Sequence, residues 1–362
     1  MAEQVGLMAA RYSVVQTDLA TGAVVTELPV TGIGYTDTLN AAGTATVGVP
    51  LAAPEADPAT LIVGSSGLAV LRNDSPMWGG ILWGASADLA AGTLTLSASG
   101  FHSYYSHRFL DAKNGYTTTS SDQALILKEW FAYANANGGI GTDTATVTTT
   151  GHLRSRKWSF YEFKNMAEAI DEMADDLNGF NFRYEAYWLA GVGRRVGNRF
   201  RLARRNSASF PQLEHRVNCN VTAVDYDGTQ LATQAYAFGA DLGTGAKPYA
   251  SSGNPALTGP RRVAVATYAD IKTTASLITK AAAIANVGSQ PIAVPTLTLY
   301  PDRFTPSQFT PGAVGTVIAD SGYVALFEEF VITERGVEVD ANGTETVSLA
   351  LASKDVFNAN PG

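Results

Sequence analysis

Four histidines, one cysteine and a run of carboxylates are the residues of this chain best suited to chemistry, and their spacing does not organise a reaction. His102, His107, His152 and His215 include no H-E-x-x-H pair, and Cys219 has no second thiol with which to hold zinc. His102 and His107 flank Tyr104-Tyr105; five residues apart on a strand they would face opposite sides, which favours a structural role. Glu168, Asp171, Glu172, Asp175 and Asp176 could share a proton or hold a cation. They lie opposite a Phe163/Ile170/Leu177 stripe, however, as the solvated face of a helix does. There is no G-x-S-x-G elbow and no G-x-x-x-x-G-K-[ST] loop. Gly239-Ala-Asp-Leu-Gly243-Thr-Gly245 lacks the Lys-Ser/Thr pair that phosphate binding needs. The expectation is a protein with no catalytic set, no metal and no cofactor.

The aromatic residues offer a different kind of site. Trp78, Gly79, Gly80, Trp83, Tyr104 and Tyr105 could line a sugar-binding face or a subunit interface. Trp78 and Trp83 point to opposite faces of a strand unless Gly79-Gly80 bulges it, so a core or interface role is favoured. The one basic cluster, Arg194, Arg195, Arg199, Arg201, Arg204 and Arg205, alternates with Phe200 and Leu202 and reads as a hairpin with a basic outer face.

Composition narrows the partners. The 362 residues carry a net charge of −8, which argues against binding nucleic acid through its phosphates. Only 16% of residues are charged, leaving a surface rich in Thr, Ser, Ala and Gly, suited to interfaces with depleted charge at their centres. A single cysteine excludes an intrachain disulfide. Residues 1–10 lack the basic and apolar regions of a signal peptide, and no apolar run has membrane-spanning length, so membrane insertion is not expected.

The elements that must position these residues fall into three stretches: a β domain over 1–105, an α+β domain over 106–215 and a second β domain over 216–362. In the first, 13–16 and 23–26 flank a turn at Leu19-Ala-Thr-Gly22, and 44–49 alternate with period two. In the second, Ser120-Ser-Asp-Gln123 can cap a helix running to Asn137. Ser159-Phe-Tyr-Glu162 is a capping box ahead of Phe163, Met166, Ala167, Ile170, Met173, Ala174 and Leu177 at helical spacing. Strands at 180–187 and 199–203 follow. In the third, a helix is expected over 268–286 with a stripe of Ile271, Ala275, Ile278, Ala282 and Ala285. The Gly/Ser/Pro-rich stretch 239–260 reads as a long flexible loop.

One device occurs twice. Residues 68–72, a turn at 73–76, a long strand at 77–83 and Gly92-Thr-Leu-Thr-Leu-Ser-Ala98 are matched by 315–319, a turn at 320–322, strands over 323–332 and Gly343-Thr-Glu-Thr-Val-Ser-Leu-Ala350. Each copy is strand, tight turn, long strand, Gly-Thr turn and alternating strand. A duplicated β-module near both ends suggests a ring or tube component.

With 68–72, Pro76-Met-Trp78-Gly-Gly80-Ile-Leu-Trp83, 92–101, Ser103-Tyr-Tyr-Ser-His107-Arg108, Trp158-Ser-Phe-Tyr-Glu162, Leu177-Asn-Gly-Phe180-Asn-Phe182 and 311–352, most of the chain resembles the hub or minor tail proteins of tailed phages, especially siphophages infecting actinobacteria. The motifs are loose patterns. The resemblance implies a mainly β, α+β fold with two tube-like β-barrels flanking the α+β domain. It implies a homotrimer whose six barrels form a pseudo-sixfold ring at the tail tip of the virion. The partners implied are the distal tail protein or tail-tube ring, the tape measure protein and a threefold central fibre or receptor-binding protein, with DNA only in transit. Relatives often carry a long C-terminal extension that this chain, ending at Gly362, lacks. A bore poor in Lys and Arg would let DNA pass without adhering.

Overall fold

A computed structural model describes residues 10–175, 178–243, 246–254, 257, 259–268, 271–300, 303–354 and 357. Strands dominate. The first stretch supplies β1 (Tyr12–Asp18), β2 (Val24–Leu28), β3 (Gly32–Thr38), β4 (Thr44–Pro50), β5 (Ser66–Arg72), β6 (Ser75–Asp88) and β7 (Thr93–Gly100). Then come α1 (His102–Tyr105), β8 (Phe109–Leu110), β9 (Tyr116–Asp122), α2 (Gln123–Ala136), β10 (Leu153–Trp158), β11 (Lys164–Asn165), α3 (Met166–Asp175), β12 (Asn181–Trp188) and β13 (Val196–Ala203). The rest comprises β14 (Leu213–Glu214), β15 (Cys219–Asp227), β16 (Gln234–Phe238), β17 (Tyr249–Gly253), β18 (Val263–Thr267), α4 (Thr274–Val287), β19 (Ile292–Leu299), β20 (Val314–Ser321), β21 (Val324–Val339) and β22 (Glu345–Ser353).

The repeated device folds as expected and proves larger than the sequence shows. β3, β4, β5, β6 and β7 lie in the sheet order β3-β4-β7-β6-β5; β15, β19, β20, β21 and β22 lie in the order β15-β19-β22-β21-β20. These are the same five-stranded topology. Several local irregularities match too, although β5–β6 and β15–β19 shift register where their counterparts β20–β21 and β3–β4 do not. β6 bulges between Leu82 and Gly84 against β7, and β21 between Ile332 and Glu334 against β22. A 3-10 turn with Pro at its start, Pro54–Ala56 or Pro306–Gln308, separates the second and third strands of each copy. Gly64 donates to the Leu82 carbonyl at 2.7 Å, and Gly312 to the Ile332 carbonyl at 2.8 Å. Both glycines sit at positive φ, 81° and 90°, which a side chain would strain.

The two modules share one thirteen-stranded sheet, joined where β21 pairs antiparallel with β3. This corrects the expectation of two closed barrels: the hydrogen-bonded path runs open from β15 to β2. The edge that would close the first module on itself is instead used by the second. One core fills the sheet from both modules, with Val14, Tyr35, Val47, Leu68, Trp78 and Leu96 beside Leu297, Val317, Phe330, Val337 and Leu349. Alternation with period two puts these on one face, each fully buried aliphatic side chain contributing roughly 1.5–3 kcal/mol.

The segment between the modules has its own core of Tyr105, Trp130, Phe131, Ile170, Met173, Phe182 and Phe200, built from α1, α2, α3 and the β12–β13 hairpin. Within the expected capping run 120–123, Asp122 is the residue that caps α2, accepting from the Ala124 N–H. The Ser159/Glu162 box is real but closes only the 3-10 turn Phe160–Glu162; Phe163 then turns left-handed at φ 41°, and α3 begins at Met166. Leu177 and Asp176 lie outside the described residues. His102 to Tyr105 form a short helix, not a strand. α4 starts at Thr274; Leu277, Ala281 and Ala285 are its buried positions, while Ile278 is exposed. The stretch expected to be a long flexible loop contains β17, which pairs with β16 in a small sheet ordered β17-β16-β18. Ala235, Ala237 and Ala250 turn inward there, so Gly/Ser-rich composition hid a strand whose packing side chains are small.

Candidate functional site

The junction of the two modules and the polar face of the large sheet are where architecture and chemistry meet. At the junction β21 residues 334–339 face β3 residues 33–38, with Arg335 opposite Asp37 and Val337 opposite Tyr35. Arg335 is 5% exposed, donates to the Asp37 carboxylate and to the Pro306 carbonyl at 2.6 Å, and so ties the seam to the 3-10 turn of its own module. Burial pushes the Asp37 carboxyl above the usual range, while the Arg335 charge acts the other way. Nearby, Glu345 of the second module accepts from the Tyr12 hydroxyl at 2.5 Å and from Arg72 Nε at 2.7 Å in the first. Burial raises the Tyr12 phenol, so it stays a donor to that carboxylate.

The face opposite the core is mostly small and polar. β3 presents Gly32, Gly34, Thr36 and Thr38; β4 presents Thr44, Thr46 and Gly48; β7 presents Thr93, Thr95, Ser97 and Ser99. From the second module come Thr296 and Thr298 of β19 with Ile292 and Val294 beside them, Glu334, Gly336 and Glu338 of β21, and Thr346, Ser348 and Ala350 of β22. Ser86 and Asp88 of β6 and Asp225 and Asp227 of β15 extend it. None of these residues is Lys or Arg. Such a surface offers a phosphate backbone no cation to grip.

The aromatic candidates separate. Trp78 is 3% exposed in the shared core and its Nε1 donates to the Thr36 carbonyl at 3.1 Å. Trp83 is the bulge residue of β6; it is partly exposed, donates to Ser103 Oγ at 2.8 Å and packs tilted against the His107 ring, with the centroids 4.8 Å apart. The two tryptophans therefore do face opposite ways. Gly79 and Gly80 are close approaches. A Cβ on Gly79 would sit 2.8 Å from the Phe101 ring, and one on Gly80 would sit 2.2 Å from the Ser99 carbonyl oxygen. Tyr105 is fully buried against Thr142 Oγ1 at 2.5 Å, and Tyr104 donates to the Gly138 carbonyl at 3.1 Å.

Most of the charged candidates have a polar or charged neighbour. Asp171 lies 3.0 Å from His102 Nε2, and Glu172 and Glu168 lie 2.6 and 3.6 Å from Lys164 Nζ. Arg199 and Arg201 pair with Asp143 and Glu185 at 2.7 and 2.5 Å, and Arg194 pairs with Asp74. Three guanidinium groups of the basic cluster are thus spent on neighbours. Among the described residues no group of three His, Cys, Asp or Glu side chains is placed to hold a metal, and no helix is long and apolar enough to cross a membrane. The seam was missed in the sequence because its partners lie 298 residues apart.

No family model and no curated protein matches the chain. Solved structures do. A 43 kDa tail protein of prophage MuSo2 from Shewanella oneidensis superposes with a TM-score of 0.62 at 14% identity, over 95% of this chain and 99% of that one. A tail protein from Neisseria meningitidis gives 0.59 at 13% identity, over 97% and 99%. A prophage tail protein from Listeria monocytogenes gives 0.57 at 12% identity, over 96% and 97%. The chain therefore shares the fold of phage tail proteins along essentially its whole length. These comparisons do not show an actinobacterial siphophage origin.

Proposed function

We propose that this protein is a structural hub of a phage or phage-like tail tip. Three copies form a ring of six modules, which joins a sixfold tail tube or distal tail protein to a threefold central fibre and lets DNA through its bore. The single observation that carries this reading is the duplication: two five-stranded modules of identical sheet order are fused head to tail through β21 and β3. A heterologous contact of this kind generates rings when the rotation closes. Three chains then present six equivalent wall segments. Each module acts as one-sixth of the wall, and the tube-like barrel becomes a property of the ring.

In this reading the Thr/Ser/Gly and carboxylate face lines the bore. The residues 1–105, 106–215 and 216–362 work as wall, bracket and wall. The small sheet and α4, inserted between β15 and β19 where the first module has only the short β3–β4 turn, occur three times per ring and mark its threefold character. The role is structural, in the virion tail tip, with distal tail, tape measure and fibre proteins as partners. Of the aromatic and glycine candidates, Gly79 and Trp83 hold the wall to its bracket, against Phe101 and Ala186 and against Ser103 and His107, while Trp78 and Gly80 pack within the wall and Tyr104 and Tyr105 within the bracket. Native mass measurement of the purified chain, alone and with neighbouring tail proteins, tests the proposal. A trimer that adds to a tube ring is expected; a chain that stays monomeric in every combination contradicts it.

A further inference from the structure

A cavity of about 350 Å³ lies where the first module, the middle segment and the second module meet. Asp37 and the 41–43 loop line it from the first module, Arg183 and Glu185 from β12, and Thr310 and Arg335 from the second module. A structural role in a tail makes no use of this space, and its whole lining comes from one chain.

Charge around the cavity does not balance. Glu185 accepts from Arg183 Nη2 at 2.6 Å and from Arg201 Nε at 2.5 Å, and Asp37 accepts from Arg335. Three guanidinium groups thus share two carboxylates, both already engaged. Arg335 Nε is buried with no hydrogen-bond partner, and Nε and Nη1 of half-buried Arg183 donate to nothing among the described residues. Burial lowers the Arg183 guanidinium below its usual range; Glu185 and Asp37 offset this only in part, while Arg201 and Arg335 add to it. One further negative charge here would relieve all three cations.

Neutral donors without acceptors gather at the same place. Ala41, Ala42 and Gly43 lie in the loop between β3 and β4, and their three consecutive N–H groups have no acceptor among the described residues. Gly43 is buried, where an unpaired N–H is rare. Consecutive free N–H groups form concavities that suit anions. The Thr310 hydroxyl is also without a partner among the described residues. The remaining polar side chains are occupied, His102 Nδ1 lying 3.3 Å from the Tyr184 hydroxyl.

We propose that this cavity binds a small free oxyanion, a phosphate or a compact carboxylate. Arg183 is its main cationic contact, and the 41–43 N–H groups and the Thr310 hydroxyl are its neutral donors. The volume leaves room for a substituent beyond a single phosphate group. A bound anion would touch all three segments of the chain at once and hold them together. A cation would instead meet Arg183 and Arg335 unscreened.

Calorimetric titration of the full chain at constant ionic strength, against chloride, tests this with inorganic phosphate and malonate as probes. Saturable binding of at least one probe is expected, with a melting temperature that rises as the site fills. Which probe binds tighter assigns the ligand to phosphates or to carboxylates. Arg183→Gln should weaken binding about tenfold or more, as loss of a charge-assisted contact does. Thr310→Val should weaken it less, and Arg195→Gln, an exposed arginine that does not line the cavity, should leave it unchanged. If Arg183→Gln does not fold, the parent chain and Thr310→Val carry the test. No saturable binding to the parent chain overturns the site. Binding that persists unchanged in Arg183→Gln and Thr310→Val marks an adventitious ion only, and overturns it equally.

Discussion

Arg335 and Asp37 stand directly opposite each other on β21 and β3, one from each module, at the one place where the halves of the chain share a hydrogen-bonded seam. Two carbonyls of the Pro306–Phe309 turn, at 2.6 and 3.5 Å, accept from the other terminal nitrogen of the guanidinium. The pair thus fixes the angle between modules as well as their contact.

Removing one member should cost more than removing both. Arg335→Ala or Asp37→Ala leaves a largely buried charge without its partner, an effect of about 3 kcal/mol once the partial exposure of Asp37 is allowed for. Asp37→Leu/Arg335→Met should lose less than the sum of the singles. Urea unfolding of the three variants measures this; additive losses would show that the two side chains act independently.

Asp122 gives a pH signature. Its carboxylate accepts from the Ala124 N–H at 2.9 Å and from the Thr150 and Gly151 N–H groups at 3.1 and 2.7 Å. Burial opposes its ionisation, but these donors outweigh it and hold the carboxyl below the usual range. A depressed carboxyl stabilises fully above its unfolded value of about 3.9, and that contribution fades as pH falls through the folded value. Asp122→Ala should therefore lose about 1–2 kcal/mol at pH 7. The gap from the parent protein should narrow steadily below about pH 4. Unfolding curves at several pH values check it, and a gap independent of pH would refute the assignment.

Gly80 and Gly84 lie on the same strand and should respond differently. A methyl at Gly80 meets the Ser99 carbonyl oxygen, a backbone atom that cannot move aside, whereas at Gly84 the nearest atom is Ser97 Cβ at 3.6 Å. Gly80→Ala should destabilise by about 1–3 kcal/mol or more, as overpacking does. Gly84→Ala should stay within about 0.5 kcal/mol. Thermal melts of both variants decide it, and equal melting temperatures would mean the β6–β7 spacing is looser than described.

Cys219 should be silent. It is fully buried, and burial pushes its thiol up to about 11. At pH 8 iodoacetamide should label it only after guanidinium unfolding. Rapid labelling of the native chain would show that β15 opens at its start.

How much of this was legible in the sequence depended on range. The β5–β6–β7 and β20–β21–β22 runs could be read because each is a chain of local hairpins with period-two alternation and Gly-marked turns. The first two strands of the second module could not be paired by eye, because β16, β17, β18 and α4 separate β15 from β19. The Ser159/Glu162 box was read correctly as a cap and wrongly as the start of α3. Two donors satisfied locally do not guarantee that a helix continues, and Phe163 turns left-handed instead. The tryptophans were legible as opposite-facing, but Arg335 looked like any surface arginine of an alternating strand. Only the β3 strand of the other module makes it a seam residue.

Electron microscopy of the purified chain, sorted without imposed symmetry, tests the central claim most directly. The account predicts trimeric particles whose rotational spectrum has a strong sixfold component in the ring wall and a threefold component outside it, from the inserted small sheets. Particles that are single chains at every concentration, or closed rings lacking a sixfold wall, would contradict it.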